Sequence, residues 1–251
     1  MLQLIDHPDA IREIRLARAP VNALDPALIR AIRLAVETAP AEGVAGLVLS
    51  GAPGMFSAGL DVPALLALDR DALMPVWADF FGIFAAIACS PIPVVAAITG
   101  HSPAGGAVMA IHCDYRVMAA GDFRIGLNEV QVGLVVPECL QLALRRLTGP
   151  RHAEQLVVAG AMIPATRAFE VGMVDELADT DAVVPQALAW LRQRLALPRQ
   201  AMLATRAITR ADLHAAYADP AAMPLADVQA RWWSDETQAT MRALVARLKQ
   251  R

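Results

Sequence analysis

The sequence predicts an α/β fold that ends in a helical region. Three observations carry this expectation. Short apolar runs of strand length, VAGLVL at 44–49 and VVAAI at 94–98, alternate with segments of helical periodicity. From Ala182 onward the pattern is helical almost throughout. Apolar residues make up 56% of the 251 residues and charged residues only 19%, so the chain is core-rich and not disordered.

Residues 2–16 alternate and predict a β-hairpin, with His7-Pro8-Asp9 as its turn. RAPVNAL at 18–24 is a loop. Asp25 and Pro26 read as the N-cap and first residue of a helix to about Thr38, with Leu28, Ile32, Leu34 and Ala35 as its apolar face. After the strand at 44–49, GAPG at 51–54 is a turn, and MFSAGLD at 55–61 leads into a helix rich in Leu and Ala. Residues 71–88 are helical, with Trp77, Phe80, Phe81 and Phe84 on neighbouring turns as core or pocket lining. The strand at 94–98 is followed by a helix at 104–112 and a third strand, YRVMA, at 115–119. FRIGL at 123–127 precedes a loop carrying Glu129. Helices are expected at 139–147, stopped by Gly149-Pro150, and at 151–158 and 164–171, with a short strand at 172–177. Pro198 divides an α/β core, 1–197, from a helical portion, 198–251.

Composition excludes several function classes. A net charge of −3 gives no electrostatic case for nucleic acid or an anionic membrane. Lys249 is the only lysine, and the arginines are scattered rather than gathered in a patch. Cys89, Cys113 and Cys139 show no CxxC spacing and the histidines no HExxH, so neither a disulfide framework nor a metal site is expected. Reduced cysteines and an N-terminus without a signal-like apolar region fit a cytoplasmic setting. Residues 80–98 have the length and apolarity of a membrane span, but Pro91 and Pro93 break them, which favours a buried helix followed by a buried strand and no membrane contact.

Chemistry is concentrated between residues 98 and 129. GHSPAGGA at 100–107 joins a strand to a helix. A phosphate loop would need Lys and Ser/Thr after the glycines, which are absent here. A nucleophile elbow on Ser102 is opposed by Pro103, which removes the amide that such sites use. The third active-site reading is an amide donor at Gly105-Gly106, where glycine lets a carbonyl approach the backbone and the helix N-terminus adds positive charge. Tight strand–helix packing explains the same glycines equally well. SAGLD at 57–61 is a second junction of this kind, with Asp61 as a helix cap or loop brace. Glu129 lies among Ile125, Leu127, Val130, Val132, Leu134, Val135 and Val136. Burial there raises a carboxyl pKa toward the general acid/base range; exposure on an edge loop leaves it an ordinary surface glutamate. Asn128 orients a substrate or caps a turn, and Glu138 fits a helix N-terminus.

FSAGLD at 56–61, GHSPAGG at 100–106, CDYRVMA at 113–119 and IGLNEVQVGLVVP at 125–137 together resemble the crotonase (enoyl-CoA hydratase/isomerase) superfamily. Within it they look most like the mitochondrial-type Δ3,Δ2-enoyl-CoA isomerases. The resemblance implies a spiral of ββα units and an acyl-CoA substrate, with coenzyme A as its handle and no other cofactor. It implies a homotrimer or dimer of trimers, with 198–251 as a C-terminal oligomerisation region containing Trp232 and Trp233. It places the oxyanion-binding amides on Leu60 and Gly105, the catalytic carboxylate on Glu129, and acyl-CoA contacts on Ala58, Gly59, Leu60, Asp61, Val62 and Asn128. Lys249 would meet a CoA phosphate. The hydratases' second glutamate falls on Val108, which favours isomerisation over hydration. A hydratase of unusual site, a thioesterase, a silent paralogue and a Ser102 hydrolase are the alternatives.

Overall fold

The computed structural model describes residues 1–219 and 223–248. β1 (Leu2–His7) and β2 (Ile11–Leu16) form the antiparallel hairpin, and Asp9 and Ala10 in its turn take positive φ. α1 (Pro26–Thr38) starts at Asp25, whose carboxylate accepts the Leu28 amide. Its buried face is Leu28, Ile29, Ile32 and Val36, while Leu34 is exposed. Leu28 and Ile32 of the expected face are thus buried, while Leu34, about 120° round the helix from Leu28, lies off that stripe.

Three units of the same plan follow. The first is β3 (Gly46–Ser50), β4 (Gly54–Met55), α2 (Val62–Leu66) and α3 (Arg70–Ala88). The second is β5 (Val94–Ile98), β6 (Gly100–Pro103) and α4 (Gly105–His112). The third is β7 (Tyr115–Ala119), β8 (Arg124–Gly126), a 3-10 turn (Glu129–Val132) and α5 (Glu138–Ala159). Each unit lays one strand in a six-stranded sheet, order β1-β2-β3-β5-β7-β10, and one in a four-stranded sheet, order β4-β6-β8-β9. The chain therefore advances as a spiral of ββα turns. Where β4 passes β6 the backbones nearly touch, and a Cβ on Gly100 would lie 1.9 Å from the Gly54 carbonyl carbon.

The remaining elements are β9 (Ile163–Pro164), α6 (Ala165–Glu170), β10 (Glu176–Ala178), α7 (Val183–Leu195), α8 (Arg199–Thr209), α9 (Ala211–Ala215), α10 (Leu225–Trp232) and α11 (Asp235–Leu248). The strand expected at 172–177 is confined to its end, because residues 172–175 form a turn that carries Asp175 to the Arg116 guanidinium. α5 runs through the expected stop, but Gly149 at φ 73 breaks it into two helices there.

The apolar strands are buried on both faces. Leu47, Leu49, Val94, Ala96 and Ile98 join the main core with α1, α3 and α4, while Val48, Val95, Ala97 and Val117 meet Val183, Ala187 and Leu191 of α7. α3 is long and apolar enough to cross a membrane by length and composition alone. It packs on α1, α4 and α10, as a core helix does. α8 has no buried residue and is tied down by charge: Arg206 makes bonds of 2.7 and 2.9 Å to Asp114. α10 and α11 fold back over their own chain, with Trp232 edge-on to Trp77 at 5.4 Å and α11 against the 3-10 turn and α2.

Candidate active site

The SAGLD junction is braced from below. The Ser57 hydroxyl donates to the Asn22 carbonyl (2.8 Å), and the Gly59 amide donates to Ser57 Oγ (3.2 Å). Gly59 takes φ +77, a conformation natural to glycine, and its carbonyl accepts the Leu24 amide at 2.8 Å. The Asp61 amide donates to the Leu24 carbonyl (3.0 Å). Leu60 lies between these bonded neighbours, and its amide has no protein acceptor among the described residues.

The second junction is built by strain. Ala104 sits at φ 46, ψ −121, a region unfavourable for a side chain, and its amide is held by the Gly126 carbonyl at 2.8 Å. Gly105 is then the first residue of α4, so its N–H has no intrahelical partner. A Cβ on Gly105 would lie 2.9 Å from Leu24 Cδ1 and 3.2 Å from Phe80, and one on Gly59 would lie 3.4 Å from the Gly105 nitrogen. The two junctions are in contact, and each presents one free amide.

Leu60 and Gly105 both line a cavity of about 670 Å³ whose wall also carries Glu129 and Asn128. Glu129 is half-buried as a residue because it faces the cavity, yet its Oε2 is inaccessible and has no partner. Loss of hydration pushes its carboxyl up to about 7, opposed only by a bond from its own amide. Asn128 Oδ1 is also buried without a partner, and it does not cap the 3-10 turn. Ala58, Asp61 and Val62 line the wall, while Gly59 stays behind it. Asp61 caps α2 through the Ala64 amide (3.1 Å) and pairs with Arg18 at 2.7 Å, so it is a brace.

Trp77, Phe80 and Phe81 are both core and cavity lining, whereas Phe84 is core alone. Val108 is fully buried and off the wall, and its carbonyl takes a 2.7 Å bond with His112 Nδ1. Ser102 Oγ is buried without a partner and does not reach the cavity, so no base activates it and the nucleophile-elbow reading fails. Glu138 is the exposed first residue of α5, paired with Arg145. Lys249 lies outside the described residues. Among the described residues no group of three His, Cys, Asp or Glu side chains converges as a metal site.

Sequence reasoning missed two parts of the site. Arg18 lines the cavity, held between Asp25 (2.9 Å) and Asp61, and Val228, Met241 and Leu244 form a wall from the C-terminal helices. The only local signal for that wall is the amphipathic pattern of α10 and α11, which names no partner surface.

A family profile described as enoyl-CoA hydratase/isomerase matches residues 6–247. The chain belongs to this family. As an enoyl-CoA hydratase/isomerase family enzyme it is 31% identical over 214 residues to human mitochondrial enoyl-CoA delta isomerase 1, covering 83% of this chain and 71% of that protein. It is 34% identical over 195 residues to a probable enoyl-CoA hydratase of Mycobacterium avium, covering 76% and 74%. Its fold matches the crystal structure of human mitochondrial Δ3,Δ2-enoyl-CoA isomerase with a TM-score of 0.91 at 28% identity, over 98% of both chains. The architecture is thus a crotonase fold with a helical C-terminal region.

Proposed function

We propose that this family member moves the double bond of a 3-enoyl-CoA to give the trans-2-enoyl-CoA. The observation that carries this reading is a single carboxylate, Glu129, whose Oε2 is buried without a partner on the wall of a cavity that Leu60 and Gly105 also line, with Val108 buried where a second acid would be needed. The other wall carboxylate, Asp61, is engaged by Arg18.

The thioester oxygen sits between the amides of Leu60 and Gly105. Glu129 as carboxylate takes the C2 proton, and the negative charge moves through the dienolate onto that oxygen. The protonated Glu129 then delivers the proton to C4, which leaves the double bond between C2 and C3. Each amide contributes roughly 3 kcal/mol to the charged transition state. A carboxyl near 7 is a strong enough base for C2 and, once protonated, a strong enough acid for C4. Hydration needs a further group to manage water, and among the described wall residues the one other carboxylate, Asp61, is held by Arg18. Coenzyme A is the handle of the substrate, and no separate cofactor enters the scheme.

The unburied faces of α8, with Ile208 exposed, support a homotrimer or dimer of trimers, which light scattering in solution checks. Unpaired Cys89, Cys113 and Cys139 support a reducing, cytoplasmic setting.

The test is to incubate pure enzyme with 3-hexenoyl-CoA and with 2-hexenoyl-CoA, following the conjugated-enoyl absorbance and identifying products. Conversion of the 3-enoyl substrate without water uptake is expected. Hydration of the 2-enoyl substrate with no double-bond shift would overturn the assignment. Glu129→Gln should lower turnover by about 10²–10⁴-fold, with acyl-CoA binding retained.

A further inference from the structure

The turn that carries Glu129 is one turn long and has no buried residue of its own. Glu129–Val132 is closed by Gly133 at φ +78, whose amide returns to the Val130 carbonyl at 3.2 Å. The Leu134 amide then holds the Glu129 carbonyl at 3.0 Å. A single turn with these few internal bonds does not fix a side chain by itself. Its outer anchor comes from α11. The buried Thr237 hydroxyl donates to the Gly133 carbonyl at 2.7 Å and accepts from the Ser234 hydroxyl at 3.0 Å. Ser234 also caps α11 by accepting the Thr237 amide at 3.3 Å. The approach is tight, since a Cβ on Gly133 would lie 3.1 Å from the Thr237 Cα. One turn further along the same helix, Met241 and Leu244 form the cavity wall.

We propose that Thr237 is a positioning residue for Glu129: its hydroxyl pins Gly133, and that pin holds the 3-10 turn and its carboxylate under the apolar face of α11, away from water. This rests on Glu129 being the proton carrier. The pin acts through hydration and not through charge. On the loop side Arg18 is taken by Asp25 and Asp61, on α10 Arg231 by Asp227, and on α5 Glu138 by Arg145. On α11 the Arg242 guanidinium is bonded to Gln238, and burial is the one influence that raises the Glu129 carboxyl.

The experiment compares Thr237→Val, which keeps shape and removes the hydroxyl, with Thr237→Ser, which restores it. In Thr237→Val the turn loosens and water reaches the carboxylate. Expected are a fall in kcat of about 10- to 100-fold with little change in KM, and an acid limb of the pH–rate profile displaced downward by about one unit. Thr237→Ser should return both toward wild type. Ser234→Ala, at an exposed position, folds safely and should move both in the same direction by less. The titration of Glu129 is also read without turnover, as the infrared band of its protonated carboxyl, identified by its loss in Glu129→Gln. If the acid limb and that band titrate as in wild type in both Thr237→Val and Ser234→Ala, the positioning role is refuted, even where thermal stability has dropped. If the enzyme proves not to be an isomerase, the infrared titration still decides whether Thr237 controls Glu129, so the two failures are distinguishable.

Discussion

Glu129 ties activity and stability to pH in opposite directions. Its carboxyl ordinarily titrates at 4.5 and is pushed up to about 7 in the fold. In the proposed mechanism it acts as a base and must be ionised, so kcat/KM should rise with pH through an apparent pKa near 7. For stability the folded chain holds this proton more tightly than the unfolded one does. The associated stabilisation is fully present below 4.5 and is lost as pH rises through about 7. Glu129→Gln stays neutral throughout. It should therefore be more stable than wild type at pH 8, by on the order of 2 kcal/mol, and not at pH 4. Urea denaturation at both pH values checks this, and a gap that does not grow with pH would count against a dry Glu129. Ser102 is the contrasting residue. It was readable from sequence as a nucleophile, but it is sealed off from the cavity, so Ser102→Ala should leave double-bond transfer nearly unchanged in a steady-state assay.

Among the elements, α4 carries Gly105, whose amide is the proposed oxyanion donor, and its far end is fixed by a buried polar contact. His112 is fully buried and stacks on Phe84 at 5.3 Å. Its Nδ1 bonds the Val108 carbonyl, and its Nε2 accepts from the Tyr217 hydroxyl at 2.7 Å. Burial pushes the imidazole down to about 4, so it is neutral and accepts at Nε2. Tyr217→Phe removes the donor and leaves that nitrogen unsatisfied, at a cost of about 1–3 kcal/mol in unfolding free energy, read by chemical denaturation. Strand β6 sets the other end of α4, and there the limit is steric. In Gly100→Ala the new methyl would lie 1.9 Å from the Gly54 backbone. The sheets must separate, which costs on the order of 3 kcal/mol, and recovery of folded protein should fall sharply. The start of α1, the break at Gly149 and the doubly buried strands were all legible in the sequence. Each depends on residues adjacent in the chain: a cap, a glycine, a proline, an apolar run. On α1 the inward stripe was legible at Leu28 and Ile32, whereas Leu34 stands about 120° round the helix from Leu28 and falls outside the stripe that packs on α3.

For the whole molecule, the cavity is a joint product of the spiral and the C-terminal helices. About 670 Å³ of largely apolar space lies between the aromatics of α3 and the wall formed by Val228, Met241 and Leu244. That volume accepts an acyl tail longer than the reacting carbons. Filling it from the C-terminal side should select against length without touching the chemistry. In Met241→Trp the ratio of kcat/KM for 3-dodecenoyl-CoA over 3-hexenoyl-CoA should fall at least about tenfold, consistent with the loss of one or more methylene contacts. An unchanged ratio would place the tail elsewhere. The resemblance implies that the same helices serve subunit contact; within one chain α10 and α11 cover the cavity, and α8 is left with no buried residue.

The sequence by itself determined the class of fold and the local candidates for each part of the proposed site. Alternating apolar strands and helices, glycines at two strand–helix junctions and a glutamate in an apolar segment are short-range patterns, and the backbone conformations they require follow from residues a few positions apart. Only the tertiary structure decided that Leu60 and Gly105 line one cavity, that Val108 turns into the core, that Asp61 is held by Arg18, and that Thr237 reaches Gly133 across the C-terminal fold-back. These are contacts between distant parts of the chain. Burial of apolar surface drives them and is non-directional, so amphipathic periodicity shows that a face will be covered but not what will cover it.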